Sequence, residues 1–145
     1  MKKKNIIIFI VITFVLALCA ITITCTIFSK ELNLQRELIF TVFTPELQKA
    51  SDDFYSEYLS DNPLVYNYSG KIISLKKSKY GYNYGYYIKF GIEPVIGPHY
   101  PVGYDEVEYF VYYDGTIKLL NFTHKKNYEF PSRLGVTIEK PIPTS

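Results

Sequence analysis

From Ile6 to Phe28 the chain runs for 23 residues without a charge, a proline or a glycine. Its only polar side chains there are four threonines and two cysteines. Coiled as an α-helix, the run is about 34 Å long at ~1.5 Å per residue, enough to cross a hydrocarbon core of about 30 Å. Threonine hydroxyls bond back to carbonyls of the preceding turn, so Thr13, Thr22, Thr24 and Thr26 suit a helix that faces lipid. Lys2, Lys3 and Lys4 precede the run, whereas Lys30 and Arg36 after it are offset by Glu31 and Glu37. The positive-inside bias then keeps the N-terminus cytoplasmic and places residues from 29 onward outside.

A cleaved secretory signal also joins a basic start to an apolar run, but its apolar core is typically about 7–15 residues and ends at a small-residue cleavage site. A lipidated Cys19 would want a small residue where Leu18 stands. The expectation is an uncleaved single-pass anchor at 6–28 in the lipid bilayer, with cleavage and secretion as the alternative. Each route exports the rest of the chain.

All fifteen tyrosines, eight glycines and eight prolines lie after residue 44, so a mean hydropathy near zero averages two different materials. Both cysteines fall in the apolar run, leaving the exported part without thiol, disulfide or cysteine metal ligand. From residue 29 on, thirteen basic residues face fourteen acidic ones. A nucleic-acid partner, which needs a basic face, is therefore not expected. Lys71, Lys76, Lys77 and Lys79 form a short basic run of the kind a solvated strand face carries.

Leu32, Leu34, Leu38, Ile39 and Phe43 among charges suit a juxtamembrane stalk over 29–43. Thr44-Pro45-Glu46 reads as a helix start, with threonine as N-cap, proline at the first position and an acid near the positive end of the dipole. Leu47, Ala50, Phe54 and Tyr58 then form one apolar stripe, and Asp61-Asn62-Pro63 ends it. Beyond Pro63 the period becomes two. Strands are expected over Leu64–Lys77 with a bend or bulge at Gly70, from Tyr86 to Ile92, from Glu106 to Tyr113, and from Ile117 to Thr123 after an Asp114-Gly115 hairpin turn. A short strand is also placed at Val136–Glu139. The expected fold is α+β: the N-terminal transmembrane helix, then an amphipathic helix packed on an antiparallel sheet of about four strands. The expected divisions are a cytoplasmic tip 1–5, the anchor 6–28, the stalk 29–43, the α+β domain 44–126 and a C-terminal extension 127–145.

His99 stands in Gly97-Pro98-His99-Tyr100-Pro101, where the prolines stiffen the loop and Gly97 and Gly103 permit tight turns. His124 ends the last strand, and Asp105, Glu106 and Glu108 are near in sequence to the loop. Two histidines with a carboxylate are a metal-ligand type of set, although a turn histidine more commonly bonds a backbone carbonyl. Glu106 and Glu108 share a strand face, as a carboxylate pair or an ordinary solvated face would. The turn around Tyr82 and Tyr84 offers rigid aromatic area with polar tips. None of the serine-elbow, His-Glu-x-x-His, Walker or dinucleotide motifs is present.

The run Gly97-Pro98-His99-Tyr100-Pro101-Val102-Gly103-Tyr104, then Val107-Glu108-Tyr109-Phe110, Asp114-Gly115 and Asn121-Phe122-Thr123-His124-Lys125, resembles an uncharacterised domain-of-unknown-function family. Its members are short exported proteins of Gram-positive spore formers, with a Gly-Pro-His-x-Pro signature. Tyr100 stands where that family has Asn, Val102 where it has Pro, and Gly103 comes one residue early. The resemblance implies a domain over about 44–126 with a helix ahead of the sheet, and no activity. The expectation is thus a non-enzymatic binding module at the cell envelope, contacting a protein or glycan through His99, Tyr100, Tyr104, His124, Tyr82 and Tyr84. No catalytic residue, metal site or cofactor is assigned. The alternative is a small metal-dependent or histidine-based envelope enzyme using His99, His124 and a carboxylate.

Overall fold

The computed structural model describes residues 2–144; Met1 of the expected tip 1–5 and Ser145 of the extension 127–145 lie outside them. The chain divides into two units, one up to Leu38 and one from Ile39. Helix α1, Lys2–Tyr55, supplies the first and opens the second.

In the first unit Phe9, Phe14, Leu16, Ile23 and Phe28 are exposed over most of their surface. This helix is long and apolar enough to cross a membrane. Its hydroxyls are satisfied within the helix. Thr13 donates to the Phe9 carbonyl at 3.1 Å, Thr22 to Cys19 at 2.8 Å, Thr24 to Ala20 at 3.0 Å and Thr26 to Thr22 at 2.8 Å.

In the second unit, α1 does not restart at Thr44. It runs through Pro45, and the Thr44 hydroxyl donates to the Phe40 carbonyl at 3.0 Å instead of capping a new helix. The reason is the apolar stripe. Phe40 and Phe43 continue the face of Leu47 and Ala50 and are buried with them, which outweighs the one backbone bond that Pro45 removes. Phe40 meets Phe90 edge-on at 5.5 Å, and Phe43 lies 5.0 Å from Phe90 and 5.5 Å from Tyr109. Such ring pairs are worth roughly 0.5–1.5 kcal/mol each beyond the area they bury.

The face they cover belongs to a sheet of four antiparallel strands, β1 Gly70–Tyr80, β2 Asn83–Ile92, β5 Gly103–Tyr112 and β6 Ile117–Asn127, ordered β1-β2-β5-β6. Ile88, Phe90, Ile92, Val107 and Tyr109 point into this core. Between β2 and β5, β3 Val95–Ile96 and β4 Tyr100–Pro101 form a small separate hairpin. The architecture is α+β. Asp114-Gly115 makes the expected turn, with Gly115 at φ 88° and Asp114 accepting from the Thr116 amide at 2.8 Å.

Three details differ from the sequence pattern. Residues 64–69 do not extend β1: Leu64 bridges to Val95, and Asn67–Ser69 coils into one 3-10 turn. Gln48 holds this segment to α1, accepting from the Val65 amide at 2.8 Å and donating to the Pro63 carbonyl at 2.9 Å. The irregularity of β1 lies between Ile72 and Ser74, not at Gly70. Val136–Glu139 contributes a single bridge, Leu59 to Ile138. The lysine run lies on β1, an edge of the sheet, where charge discourages edge-to-edge pairing.

Among the described residues, the Ser51 hydroxyl is buried without a hydrogen-bond partner. Ser51→Ala removes that unmet polar group and improves helix propensity, so the variant is expected to be more stable by about 1 kcal/mol. Thermal unfolding of both proteins checks this; a lower midpoint for the variant would contradict it.

Candidate functional site

Two polar constellations lie near the end of the sheet that carries the small hairpin, one buried and one open. The buried one starts from the cross-strand pair Asp105 and His124, joined by Tyr55 from the last residue of α1. All three are almost fully buried. His124 Nδ1 lies 2.5 Å from Asp105 Oδ1, and the Tyr55 hydroxyl donates to Asp105 Oδ2 at 3.0 Å. On the far side of the imidazole, Asn127 donates from Nδ2 to the Ile142 carbonyl at 3.0 Å, which turns its Oδ1 toward His124 Nε2 at 2.9 Å. An amide oxygen only accepts, so Nε2 carries a hydrogen.

Burial raises the Asp105 pKa above the usual carboxylate range, opposed by the hydrogen bonds from His124 and Tyr55. Burial, reinforced by the adjacent Asp105 charge, also pushes the Tyr55 phenol far above its ordinary value, so it stays a donor. Gly103 makes room for the cluster. A Cβ there would run into the His124 ring and come within 2.5 Å of the Lys126 carbonyl and 3.1 Å of the Tyr55 hydroxyl.

The open constellation surrounds the tip of the β3–β4 hairpin. His99 donates its amide to the Gly97 carbonyl at 2.9 Å across Pro98, whose fixed φ suits a three-residue turn. Gly97 has φ 51° and His99, without the freedom of glycine, has φ 69°. A bulky residue held there costs about 1–3 kcal/mol and persists only where its surroundings enforce it. Here the surroundings are aromatic. The Tyr68 hydroxyl bonds His99 Nδ1, Tyr66 and Tyr68 stack at 5.2 Å and 11°, and His99 meets them edge-on at 5.8 and 5.5 Å. Tyr68 is nevertheless 61% exposed. Beside it a small cleft is lined by Tyr68, Ser69, Lys71, Gly91, Glu93 and Tyr104. Glu93 accepts from the Tyr128 hydroxyl at 3.1 Å.

The six residues singled out from sequence separate accordingly. His99 and Tyr104 both neighbour Tyr68 at the open corner. Tyr100 packs against a core cluster of Tyr55, Leu59, Ile96 and Val102, its hydroxyl accepting from Arg133 at 3.2 Å, and His124 is locked into the buried polar cluster. Tyr82 and Tyr84 lie in and just after the β1–β2 turn, at the other end of an 11-residue strand spanning roughly 36 Å at ~3.3 Å per residue. Glu106 and Glu108 flank Lys89 at 2.7 and 3.2 Å, and the bond to Glu106 leads in pushing Lys89 up to about 12. Among the described residues no three His, Cys, Asp or Glu side chains are placed to hold a metal ion, so His99, His124 and a carboxylate do not form one set. Sequence reasoning missed Tyr55, Tyr66, Tyr68 and Asn127. The alternating Tyr66-x-Tyr68 pair is a visible signal, but its nearness to His99 arises from long-range pairing, the Leu64–Val95 bridge and the bond from the Glu93 amide to the Ser69 carbonyl.

Gly103→Ala is expected to lose about 1–3 kcal/mol, the usual cost of overpacking, measured by denaturant unfolding; an unchanged midpoint would count against the close packing.

The profile of the family described as "Protein of unknown function (DUF3888)" matches residues 35–126, which include Tyr55, Tyr66, Tyr68, His99, Asp105 and His124. No curated protein and no solved structure matches the chain. A profile match over more than half its length, taking in nearly all of the sheet, the Tyr55–Asp105–His124 set and the open corner, means that the chain belongs to the DUF3888 family of proteins of unknown function.

Proposed function

We propose that the chain is a membrane-anchored, extracytoplasmic binding module of the cell envelope, whose binding face is the corner formed by Tyr66, Tyr68, His99 and Tyr104. The observation that carries this is the His99 backbone. A non-glycine residue is held at φ 69° so that its ring braces an exposed tyrosine, an arrangement that contributes little to a core. Exposed aromatic rings already fixed in place lose little entropy on binding, which is why such residues serve as anchors. Support for the anchor comes from the apolar helix and its internally satisfied threonines, and for its direction from the lysines at positions 2–4. In this reading residues 6–28 cross the bilayer, 29–38 continue as a juxtamembrane segment, and the folded unit from Ile39 onward faces outward.

Two measurements test the proposal. A reporter enzyme fused after Ser145 should be active only on the outer side of the membrane; activity in the cytoplasm would refute the topology. Full-length protein in lipid nanodiscs should retain isolated envelope material, and Tyr68→Ala or His99→Ala should weaken that retention about tenfold, the scale expected for a truncated aromatic anchor. Tyr82→Ala, at the far turn, should leave it unchanged. Equal retention by all the variants would move the binding face elsewhere.

A further inference from the structure

Resting on the reading that this corner is the binding face, the geometry points to an N-acetylated pyranose, a sugar ring bearing an acetamido group, as the ligand of the Tyr68 cleft. The cleft has a volume of about 220 Å³, room for one sugar-sized ring. One face of the Tyr68 ring is taken by Tyr66, while Tyr68 keeps 61% of its surface exposed, so a flat aromatic face remains open. The C–H-rich face of a pyranose packs on such a ring, because the ring face carries partial negative charge.

Charge decides what surrounds that face. Lys71 and Glu93 both line the cleft. A phosphate or other anion would meet the Glu93 carboxylate, a cation would meet the Lys71 ammonium, and an apolar ligand would strip water from both charges without replacing it. An uncharged group with a donor and an acceptor side by side satisfies both. An acetamido group has that form: its N–H donates to a carboxylate and its carbonyl accepts from an ammonium. Glu93 is already positioned, its side chain accepting from Tyr128 at 3.1 Å and its amide donating to the Ser69 carbonyl at 2.8 Å. The Tyr104 hydroxyl, lying over Gly91 in the same cleft, adds a donor for a ring hydroxyl.

The probe is N-acetylglucosamine trisaccharide, titrated into full-length protein in nanodiscs and followed by calorimetry, with maltotriose as the sugar lacking acetamido groups. The expected result is saturable binding of the acetylated trisaccharide, about tenfold weaker with Tyr68→Ala and with Glu93→Gln, unchanged with Tyr82→Ala, and at least about tenfold weaker for maltotriose. Tyr68 is exposed and Glu93 half-buried, and circular dichroism of each variant checks that it is folded. No saturable binding, binding indifferent to Tyr68→Ala, or equal binding of maltotriose would overturn the assignment. If the trisaccharide fails while Tyr68-dependent retention of envelope material persists, the ligand class is wrong and the binding face stands. If both fail, both readings fall.

Discussion

A carboxyl group with no exposed surface, Asp105, is held by His124 and Tyr55, and much of the second unit is arranged around that fact. Burying such a group without partners would cost several kcal/mol, so the three side chains must come together for the chain to fold as it does. They are drawn from the end of α1, the start of β5 and the end of β6. Their contact fixes the helix terminus against one end of the sheet. Gly103 is bound to the same requirement, because only a residue without a side chain lets the backbone of β5 pass the imidazole. Asn127 and the Ile142 carbonyl complete the set from beyond the family match, so the C-terminal segment closes a polar centre whose other members lie within it.

That centre lies close in the chain to the open corner. Tyr104 adjoins Asp105 and points to the opposite face of β5, into the cleft, while Val102 bonds both Pro94 and Tyr128 and ties the small hairpin to the sheet. The rigidity of the buried cluster thus passes to the exposed one through a few residues of backbone. His99 can be held in an unfavourable conformation because the strands on either side of its turn are paired with each other and Leu64 is paired with Val95. Rings held this way keep one arrangement and would lose little entropy on contact with a partner.

Much of this was legible in the sequence. The apolar run, the stripe from Leu47, the alternating strands and the Asp114-Gly115 turn gave the α+β class, because each is a local pattern with its own period. What was not legible depends on register. Counting back from the turn without interruption sets Asp105 opposite Thr123, but a shift between Glu108 and Tyr109 moves the pairing by one residue. That bulge sets His124 opposite Asp105 and turns Phe122 and His124 inward, since a one-residue slip exchanges the two faces of a strand. The helix start at Thr44 failed for a related reason: a capping pattern is local, whereas Phe40 and Phe43 are drawn into the helix by aromatic partners on β2 and β5. Of the residues chosen for function, His99 and Tyr104 stood out by their loop, but Tyr66 and Tyr68 become their neighbours only through the fold.

The central claim is that the protein acts through a braced tyrosine at the hairpin corner and not through the tyrosines of the far turn. Photo-crosslinking in intact cells tests it most directly, with a photoreactive amino acid placed at position 68 or at position 82 of the full-length chain. Tyr82, 94% exposed, is the more accessible of the two and would win if accessibility alone decided the outcome. The account predicts a discrete crosslinked envelope product from position 68 and none from position 82. Crosslinks confined to position 82, or absent from position 68, would contradict it.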